Sequence, residues 1–397
     1  MKIEANQLDN TLNRQSPFSL YSPEYVTFSG LVLTQPLLRD GGTNAGMIEI
    51  RLARRNQKIA ELDLQANVLK TVASVMRTYQ DLVFAVENVR VKKEAVKLSR
   101  QLLEDNRKQL ERGMRQERDV LLAESAVSKG YEELLLATNF LRERSASLAR
   151  LTSKSFEDGA QEIAPAEGVA PSIPRLNRTE LLSLALTHRP AYLKTLEEAE
   201  RENLRVQFAK NQILPKFDLK ATLGYNGLSS SMGDSIGNGF EGQTPEASIG
   251  FVVSIPLGNV KARALLDAAQ KKKIQAAYKI QSAEADAMLA IDKAISGVQI
   301  NSERVKTAER SRTLNERSLR SDELSLERGT TTSLNLLKFQ QDYTEARTRE
   351  IAAEVDLSNS LVDLWEATGV LLEKKQISFG KQPTSPVAKA TATKARK

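Results

Sequence analysis

Apolar residues recur at steps of three and four positions through two long, otherwise charged stretches of the chain. In the first stretch they stand at Val72, Val75, Tyr79, Leu82, Val86 and Val89. This spacing places the side chains on one face of an α-helix and is typical of helices packed side by side. The pattern therefore predicts long helices that bury one seam against neighbouring helices.

The second stretch repeats the first. The tetrapeptide LERG ends at Gly113 and again at Gly329, and the separation of these two glycines is called the repeat offset below. The same offset carries the six apolar positions onto Met288, Ile291, Ile295, Val298, Ser302 and Val305, of which the serine alone is polar. Because nothing forces agreement so far upstream of the tetrapeptide, the match predicts two copies of one structural unit.

Each copy is predicted to be a hairpin of two helices, because a second apolar pattern follows each LERG. Gly113 and Gly329 suit the left-handed backbone conformation that commonly ends a helix, so LERG marks the tip of each hairpin. At about 1.5 Å per residue, the first helix is a rod of roughly 100 Å. The predicted helices are residues 45–112 and 119–152 in repeat 1, and residues 260–328 and 333–368 in repeat 2.

Strands are predicted before the long helices, where apolar and polar residues alternate over residues 25–35, 216–226 and 246–255. Such an apolar face over about ten residues suits a strand of a membrane-spanning barrel. A soluble sheet with one wet face shows the same alternation. We favour the barrel, because at most two β-hairpins cannot bury a soluble sheet core against helices of this length.

The domain prediction follows from the repeat. Repeat 1 covers residues 1–153, and a linker rich in Pro, Ala and Gly covers residues 154–177. Repeat 2 covers residues 178–373 and opens with a further helix at about 179–213. A tail over residues 374–397 is predicted to be disordered; it carries seven Lys or Arg and no acidic residue, which equals the whole net charge of +7. The basic pI therefore comes from the tail alone, and it does not indicate that the rest of the chain binds nucleic acid.

Catalytic and metal-binding chemistry find no support in the sequence. The chain has no cysteine and a single histidine, His188, so thiolate and histidine metal sites are not expected. The many charged side chains lie at spacings typical of solvated helix faces. We find no nucleophilic triad and no phosphate-binding loop. We therefore expect no enzyme activity, cofactor or metal, and we interpret His188, Trp365 and Phe339 as structural residues.

Membrane targeting gives two negative observations. No run of about 18 apolar residues predicts a transmembrane helix. The opening MKIEANQLDN has no apolar core of a secretory signal.

Several ordered motifs resemble those of the TolC-type outer-membrane efflux channels. Residues 188–225 resemble the family's Arg-Pro start, its helix and the Leu-Pro that leads into a strand. QPLLRDGG (35–42) and IPLGNVKAR (255–263) resemble its strand-to-helix passage. ERGMRQERDVLLAES and ERGTTTSLNLLKFQQD resemble its periplasmic hairpin tips. The resemblance covers about residues 25–373 in the family's order.

The resemblance implies a mainly α fold with a minor transmembrane β part, arranged as a trimeric α/β-barrel channel-tunnel. Each subunit of the homotrimer would give four strands to one twelve-stranded barrel in outer-membrane lipid, and the helices would continue it across the periplasm. The implied function is passive: solutes from an inner-membrane pump reach the channel through a periplasmic adaptor in a tripartite efflux or type I secretion system.

The resemblance also assigns roles to residues of the tips. Six of them would dock the adaptor at the resting closure of the pore, although the arginines also suit helix C-termini as dipole caps. Asp119 matches an acidic position that faces the family's narrow entrance, whereas its counterparts Asn335 and Lys338 depart from that pattern. The predicted docking residues are Arg112, Gly113, Met114, Arg328, Gly329 and Thr330.

The start of the chain departs from the repeat, because too short a segment precedes Tyr25 to match the helix and strand that open repeat 2. We expect a signal peptide, a helix and the first strand to be missing, and residues 4–23 to be the remains of an extracellular loop. On this hypothesis Met1 is a misassigned or fragmentary start, and three strands would not close the barrel.

Two other classes of protein compete with the channel. A soluble cytosolic coiled-coil scaffold explains the heptads, the absent signal and the absent cysteine, but it leaves the alternating strands unexplained. A periplasmic adaptor also has a helical hairpin, but it has one hairpin flanked by compact β domains.

Overall fold

The computed structural model describes residues 2–7, 20–21, 25–152, 173–174, 176–242 and 244–377. Most of these residues are helical, and a four-stranded sheet completes the fold, as the predicted fold class requires. The strands are β1 (Lys2–Gln7), β2 (Tyr25–Pro36), β3 (Lys216–Ser229) and β4 (Pro245–Ser254). The helices are α1 (Gly42–Gly46), α2 (Ile48–Glu111), α3 (Glu117–Thr152), α4 (Arg178–His188), α5 (Pro190–Gln212), α6 (Met232–Phe240), α7 (Val260–Glu327), α8 (Ser333–Thr368) and α9 (Leu371–Lys374).

The chain forms two compact units, and each takes segments from both sequence repeats. The first unit comprises Met1–Glu61 and Lys194–Ser282, and the second comprises Leu62–Leu193 and Ala283–Lys397. The long helices α2 and α7 each contribute to both units. Packing therefore groups the strands in one unit and the hairpin tips in the other.

The sheet of the first unit is antiparallel with the order β1-β2-β3-β4. The expectation of a missing first strand is wrong, because β1 pairs with β2 and places Ile3 opposite Leu33. Residues 4–7, which we predicted to be part of a loop, belong to this strand. The segment is short, with only Ile3 and Ala5 as apolar residues in its alternation, but it completes backbone hydrogen bonds along the edge of β2.

The two faces of the sheet differ as the alternation predicts. One face carries apolar side chains that remain largely exposed, with Ile249 77% and Phe251 64% exposed. The Phe217 and Phe251 rings stack on this face with their centroids 5.3 Å apart. The other face carries small and polar residues, among them Asn226, whose Nδ2 donates to Glu246 Oε2 at 2.7 Å.

Helix α5 belongs mostly to the first unit and is separate from α4. The sequence predicted one helix over residues 179–213, but it breaks at Arg189, which has an extended backbone. The cause is Pro190, which lacks an N–H and disfavours helical geometry in the residue before it. In the first unit, Arg55 Nη1 of α2 lies 2.6 Å from Glu197 Oε2 of α5 and ties these two helices together.

The second unit contains the two helical hairpins, α2–α3 and α7–α8. The return helices α3 and α8 both contain 36 residues, and the repeat offset carries both bounds of α3 onto those of α8. Trp365 packs against two buried clusters, one around Leu69, Ala73 and Val362 and one around Val298 and Leu361. Trp365 is thus a packing residue, as predicted.

Parts of the predicted linker and tail lie outside the described residues, namely 154–172, 175 and 378–397. At the end of the linker, Asn177 caps α4, and its Oδ1 accepts from the Thr179 backbone N–H at 3.1 Å. The first residue of the predicted tail, Lys374, closes the short helix α9.

A pair of glycines brings β2 and β3 close together. Gly30 lies opposite Gly224 in the ladder, and the Phe28 ring lies over both. A Cβ on Gly224 would stand 2.6 Å from the Ser29 carbonyl oxygen and 2.7 Å from the Phe28 ring. In β4, by contrast, a Cβ on Gly250 would meet no atom within 4 Å.

We expect Gly224→Ala to destabilise the folded protein by about 1–3 kcal/mol, because the added methyl group overpacks this contact. The measurement is thermal unfolding in detergent micelles, followed by circular dichroism. Gly250→Ala is the matched control in a neighbouring strand and should change the midpoint little. Equal shifts of the unfolding midpoint in the two variants would show that the close approach of β2 and β3 does not contribute to stability.

Candidate functional site at the helical hairpin tips

Both hairpin tips end their first helix with the same hydrogen-bond pattern. At the first tip, the Gly113 N–H donates to Leu110 O and the Met114 N–H donates to Gln109 O, both at 2.9 Å. At the second tip, Gly329 and Thr330 donate in the same way to Leu326 and Ser325, at 3.1 and 2.9 Å. Both glycines have φ of +72°, so each tip is a Schellman turn that needs the left-handed conformation.

The six tip residues that the sequence singled out are all exposed. Met114 is 69% exposed, which leaves an apolar side chain at the end of the first hairpin. The second tip is more polar, and its Thr330 Oγ1 donates back to Ser325 O at 3.0 Å. The arginines Arg112 and Arg328 are the last residues before the glycines, where the negative ends of the helix dipoles favour them.

A buried asparagine joins the two hairpins just above the tips. Asn106 of α2 is 1% exposed. Its Nδ2 donates to the Asp119 backbone oxygen of α3 at 3.1 Å, and its Oδ1 accepts from Ser333 Oγ of α8 at 3.2 Å. Since an unpaired buried amide is costly, Asn106 holds the first turns of both return helices in one arrangement.

An apolar cluster supports this polar contact. Leu102 of α2, Leu319 of α7 and Leu336 of α8 are buried together. Phe339 packs against them, which agrees with its interpretation as a packing residue. The tips are therefore exposed turns, and the helices that lead to them are packed together through this cluster.

Ion pairs join the two hairpins further from the tips. Arg347 Nη1 of α8 lies 2.6 Å from Glu94 Oε2 of α2. Arg77 of α2 binds Asp363 through Nε at 2.9 Å and also pairs with Glu366, both on α8. Burial alone would lower the pKa of the Arg77 guanidinium, but its hydrogen bonds with Glu366 and Asp363 raise that pKa above its ordinary value.

The three residues predicted at the pore entrance have different environments. Asp119 is half-buried at the start of α3, beside Asn106. Asn335 is exposed, and its Nδ2 donates to Thr331 Oγ1 at 3.4 Å. Lys338 is exposed and lines a groove of about 490 Å³ between α2, α3 and α8.

Sequence reasoning missed Asn106, the residue that connects Asp119 to the other hairpin. A comparison of the repeats could have found it, because the equivalent position is Asp322. A carboxylate cannot donate to a backbone oxygen as the Asn106 amide does. The two hairpins therefore differ at this position.

Metal sites and transmembrane helices were also sought in the described residues. Across that part of the chain, no three His, Cys, Asp or Glu residues cluster as metal ligands. None of the helices described there is both long and apolar enough to cross a bilayer.

The sequence matches the outer membrane efflux protein family over residues 2–154 and 181–370. The chain belongs to this family. The match includes both hairpins, all four strands and the motifs on which the resemblance rested. It makes the protein an outer-membrane efflux channel and gives no support to the cytosolic scaffold. No match was found among curated proteins.

Solved structures of outer-membrane channels share the fold of this efflux protein. The CmeC outer membrane channel of Campylobacter jejuni matches with a TM-score of 0.77 and 18% identity, over 100% of this chain and 81% of CmeC. The outer membrane protein VceC of Vibrio cholerae matches with a TM-score of 0.75 and 18% identity, over 93% and 86% of the two chains. The open state of the MtrE channel of Neisseria gonorrhoeae has a TM-score of 0.72 and 16% identity, over 93% and 80%.

We expect Gly113→Ala and Gly329→Ala each to destabilise the helical unit by about 1–2 kcal/mol, because a Cβ disfavours the left-handed conformation. Gly297→Ala is the control. It lies inside α7, where its Cβ would make an ordinary 3.7 Å contact with Ser360 Cβ, and higher helix propensity should raise stability slightly. Urea unfolding followed by circular dichroism measures all three. The tip assignment would be wrong if the tip variants unfolded like the control.

Proposed function

We propose that this efflux protein is one subunit of a homotrimeric exit duct. Its sheet would lie in the outer membrane, and its helical hairpins would extend through the periplasm. Solutes delivered by an inner-membrane pump would enter through a periplasmic adaptor at the tips and leave passively. The observation that supports this proposal most strongly is the sheet, whose exposed face is apolar and whose edges are open among the described residues.

The exposed apolar face favours a lipid environment. Leu223 of β3 and Ile249, Phe251 and Val253 of β4 are between 59% and 77% exposed. A patch of this kind on a water-soluble protein would promote aggregation. In a bilayer, the same side chains meet acyl chains, and the small and polar face of the sheet can line a water-filled lumen.

The sheet edges favour assembly of several copies. Within the described residues, β1 and β4 each pair along one side only. An unpaired strand edge is not tolerated in the hydrocarbon region, so β4 of one copy would pair with β1 of the next until the barrel closes. Three copies of four strands make the twelve-stranded barrel that the family resemblance implies.

The hairpin tips fit the role of an adaptor-docking surface. Arg112, Gly113 and Met114 at one tip, and Arg328, Gly329 and Thr330 at the other, are exposed on rigid turns. A partner would meet the two arginine side chains, the bare backbone of the two glycines and the apolar side chain of Met114. We infer that the adaptor binds these residues.

The entrance would carry one ring of carboxylates. Asp119 from each subunit would provide it, and Asn335 and Lys338 would take the equivalent places in the second hairpin. We infer a weaker cation preference than two acidic rings would produce, because the second ring carries amides or cations.

Purified protein inserted into planar lipid bilayers should conduct ions, and Asp119→Asn should reduce its cation preference severalfold, because the only proposed ring of carboxylates is lost. Reversal potentials in a salt gradient measure this preference. The control is Glu132→Gln, a change of the same charge further along α3. Unchanged ion selectivity in Asp119→Asn would exclude this aspartate from the entrance, and absence of any conductance in the parent protein would contradict the duct itself.

Charge reversal of both tip arginines, Arg112→Glu with Arg328→Glu, should weaken adaptor binding at least about tenfold, or about 1.4 kcal/mol. The measurement is equilibrium binding of a periplasmic adaptor encoded beside the channel gene. Arg142→Glu, an exposed residue of α3, controls for charge. Equal effects of the tip and control substitutions would place the docking surface elsewhere.

A further inference from the structure

Helix α6 lies on the apolar face of the sheet, at the end of the sheet where β3 finishes and β4 begins. It contacts Thr27 of β2 and Gly227 of β3, which lie opposite each other in the ladder. Because side chains alternate between the two faces of a strand, Thr27 and Gly227 share the face of the exposed Leu223. The helix is therefore on the side of the sheet that we propose to face lipid, and the polar residues Asn226 and Glu246 are on the other side.

Small and polar residues hold α6 against the strands. Thr27 Oγ1 donates to the Ser235 carbonyl oxygen at 2.8 Å, and Ser235 Oγ donates to the Tyr25 carbonyl oxygen at 2.9 Å. Thr27 and Ser235 are both buried. A Cβ on Gly227 would stand 1.8 Å from the Ser235 carbonyl oxygen, so the helix backbone rests directly on this glycine. These buried hydrogen bonds fix α6 to the apolar face in one orientation.

The side chains of α6 divide its surface into a docked, an apolar and a polar part. Ser235 and Gly239, one turn apart, are buried against the sheet. On one flank of them, Asn238 Nδ2 donates to Leu228 O at 3.1 Å, and the exposed Asp234 lies one turn before Asn238. On the other flank, apolar residues recur at steps of four and are called the apolar stripe below. The members of the apolar stripe are Met232, Ile236 and Phe240.

The apolar stripe remains open in the chain. Met232 is 43% exposed and Phe240 is 69% exposed, while Ile236 is half-buried. A helix of a water-soluble protein turns its apolar residues towards the core. In α6 the small residues Ser235 and Gly239 take the inward position instead, which leaves the apolar stripe beside the sheet.

The apolar stripe continues the exposed apolar face of β3. That face runs along alternate residues from Phe217 to Tyr225, about as far as a barrel strand needs to cross the hydrocarbon core. The next position on the face is Gly227, which α6 covers. Tyr225 is 45% exposed, and a Cβ on Gly242, just after α6, would lie 3.4 Å from its ring. Since aromatic residues favour the boundary between hydrocarbon and headgroups, α6 stands at the level where the bilayer ends.

Charge excludes one way of holding α6 at a membrane. The sequence has no Lys or Arg between Lys220 and Lys261. The charged residues of α6 and the position after it are Asp234 and Glu241, which are acidic and exposed. Attraction to anionic headgroups therefore does not operate here, and insertion of the apolar stripe is the contact that remains.

We propose that α6 is an interfacial helix, whose apolar stripe lies among the lipid acyl chains of the outer leaflet while Asp234 lies at the headgroups. The inference rests on the proposed function, which places the sheet in the outer membrane, and adds a lipid-binding element outside the strands. Each subunit then widens its contact with lipid at the far rim of the barrel. The helix leaves the lumen free, because it is docked on the face opposite Asn226.

Single cysteines that carry a nitroxide label test this contact, because the chain has no cysteine of its own. The full chain is labelled at Phe240→Cys, or at Asp234→Cys as the matched control on the polar flank, and reconstituted in phosphatidylcholine vesicles. Oxygen concentrates in hydrocarbon and a nickel chelate stays in water, so the ratio of their collision rates with the label reports its surroundings. This ratio should be at least about threefold higher for Phe240→Cys than for Asp234→Cys, because the apolar stripe lies among acyl chains.

A label at Ile249→Cys, on the apolar face of β4, tests the proposed function separately. A high ratio at Ile249→Cys with equal ratios at the two α6 positions would overturn the inference and leave the proposed duct intact. Low access of both reagents to Phe240→Cys would show that protein covers the apolar stripe, which also overturns the inference. A low ratio at Ile249→Cys would contradict the place of the sheet in lipid, and with it both proposals.

Salt distinguishes insertion from electrostatic attachment. Raising the ionic strength from about 0.1 M to about 1 M screens surface charges and should leave the ratio at Phe240→Cys unchanged. A fall of this ratio to the value at Asp234→Cys would show that charge holds α6 at the surface, and would overturn the insertion of the apolar stripe.

Discussion

A strand in hydrocarbon must have its backbone hydrogen bonds satisfied by protein, and a four-stranded sheet cannot do this alone. The sheet of this efflux protein has an apolar face that suits lipid and, in the part of the chain that the structure describes, two open edges that do not. In the homotrimer proposed above, closure through other copies would resolve the conflict, and the resulting barrel would bring the hairpins of all subunits around one axis. In the helical unit, α3 and α7 also leave large apolar side chains exposed, among them Leu135 and Leu289.

The tips combine rigid turns with a small number of polar contacts. The two Schellman turns are built alike, down to the same φ at both glycines, so the backbone of each tip is set locally. The two tips differ in a polar residue of the first helix that lies near each turn. Asn106 donates to α3 and accepts from α8, whereas its repeat equivalent is a carboxylate with a buried oxygen that lacks a partner in the described part of the chain. The two hairpins therefore share one architecture and differ in the polar contacts near their tips.

Charge in this protein organises the contact between the two hairpins. The paired residues Arg77 and Arg347 stand on different hairpins from their carboxylates. Pairs of this kind, whose carboxylates are half exposed, add little to stability. The pKa of Arg77 is raised, because the effect of its hydrogen bonds to Glu366 and Asp363 on the pKa outweighs the effect of its burial.

The sequence by itself determined the long helices, the two hairpins, the glycine turns at Gly113 and Gly329 and the apolar faces of β2, β3 and β4, because each depends on local periodicity or on one residue's backbone freedom. It failed at β1, because Lys2–Gln7 is too short to stand out in the sequence and its pairing with the edge of β2 is a contact with residues further along the chain. It also failed to single out Asn106, since one polar residue in a charged helix does not stand out until tertiary packing buries it between α3 and α8. Only the tertiary structure decided which helix faces are covered within the chain and which stay exposed, because that depends on contacts between residues far apart in sequence, such as Asn106 and Ser333.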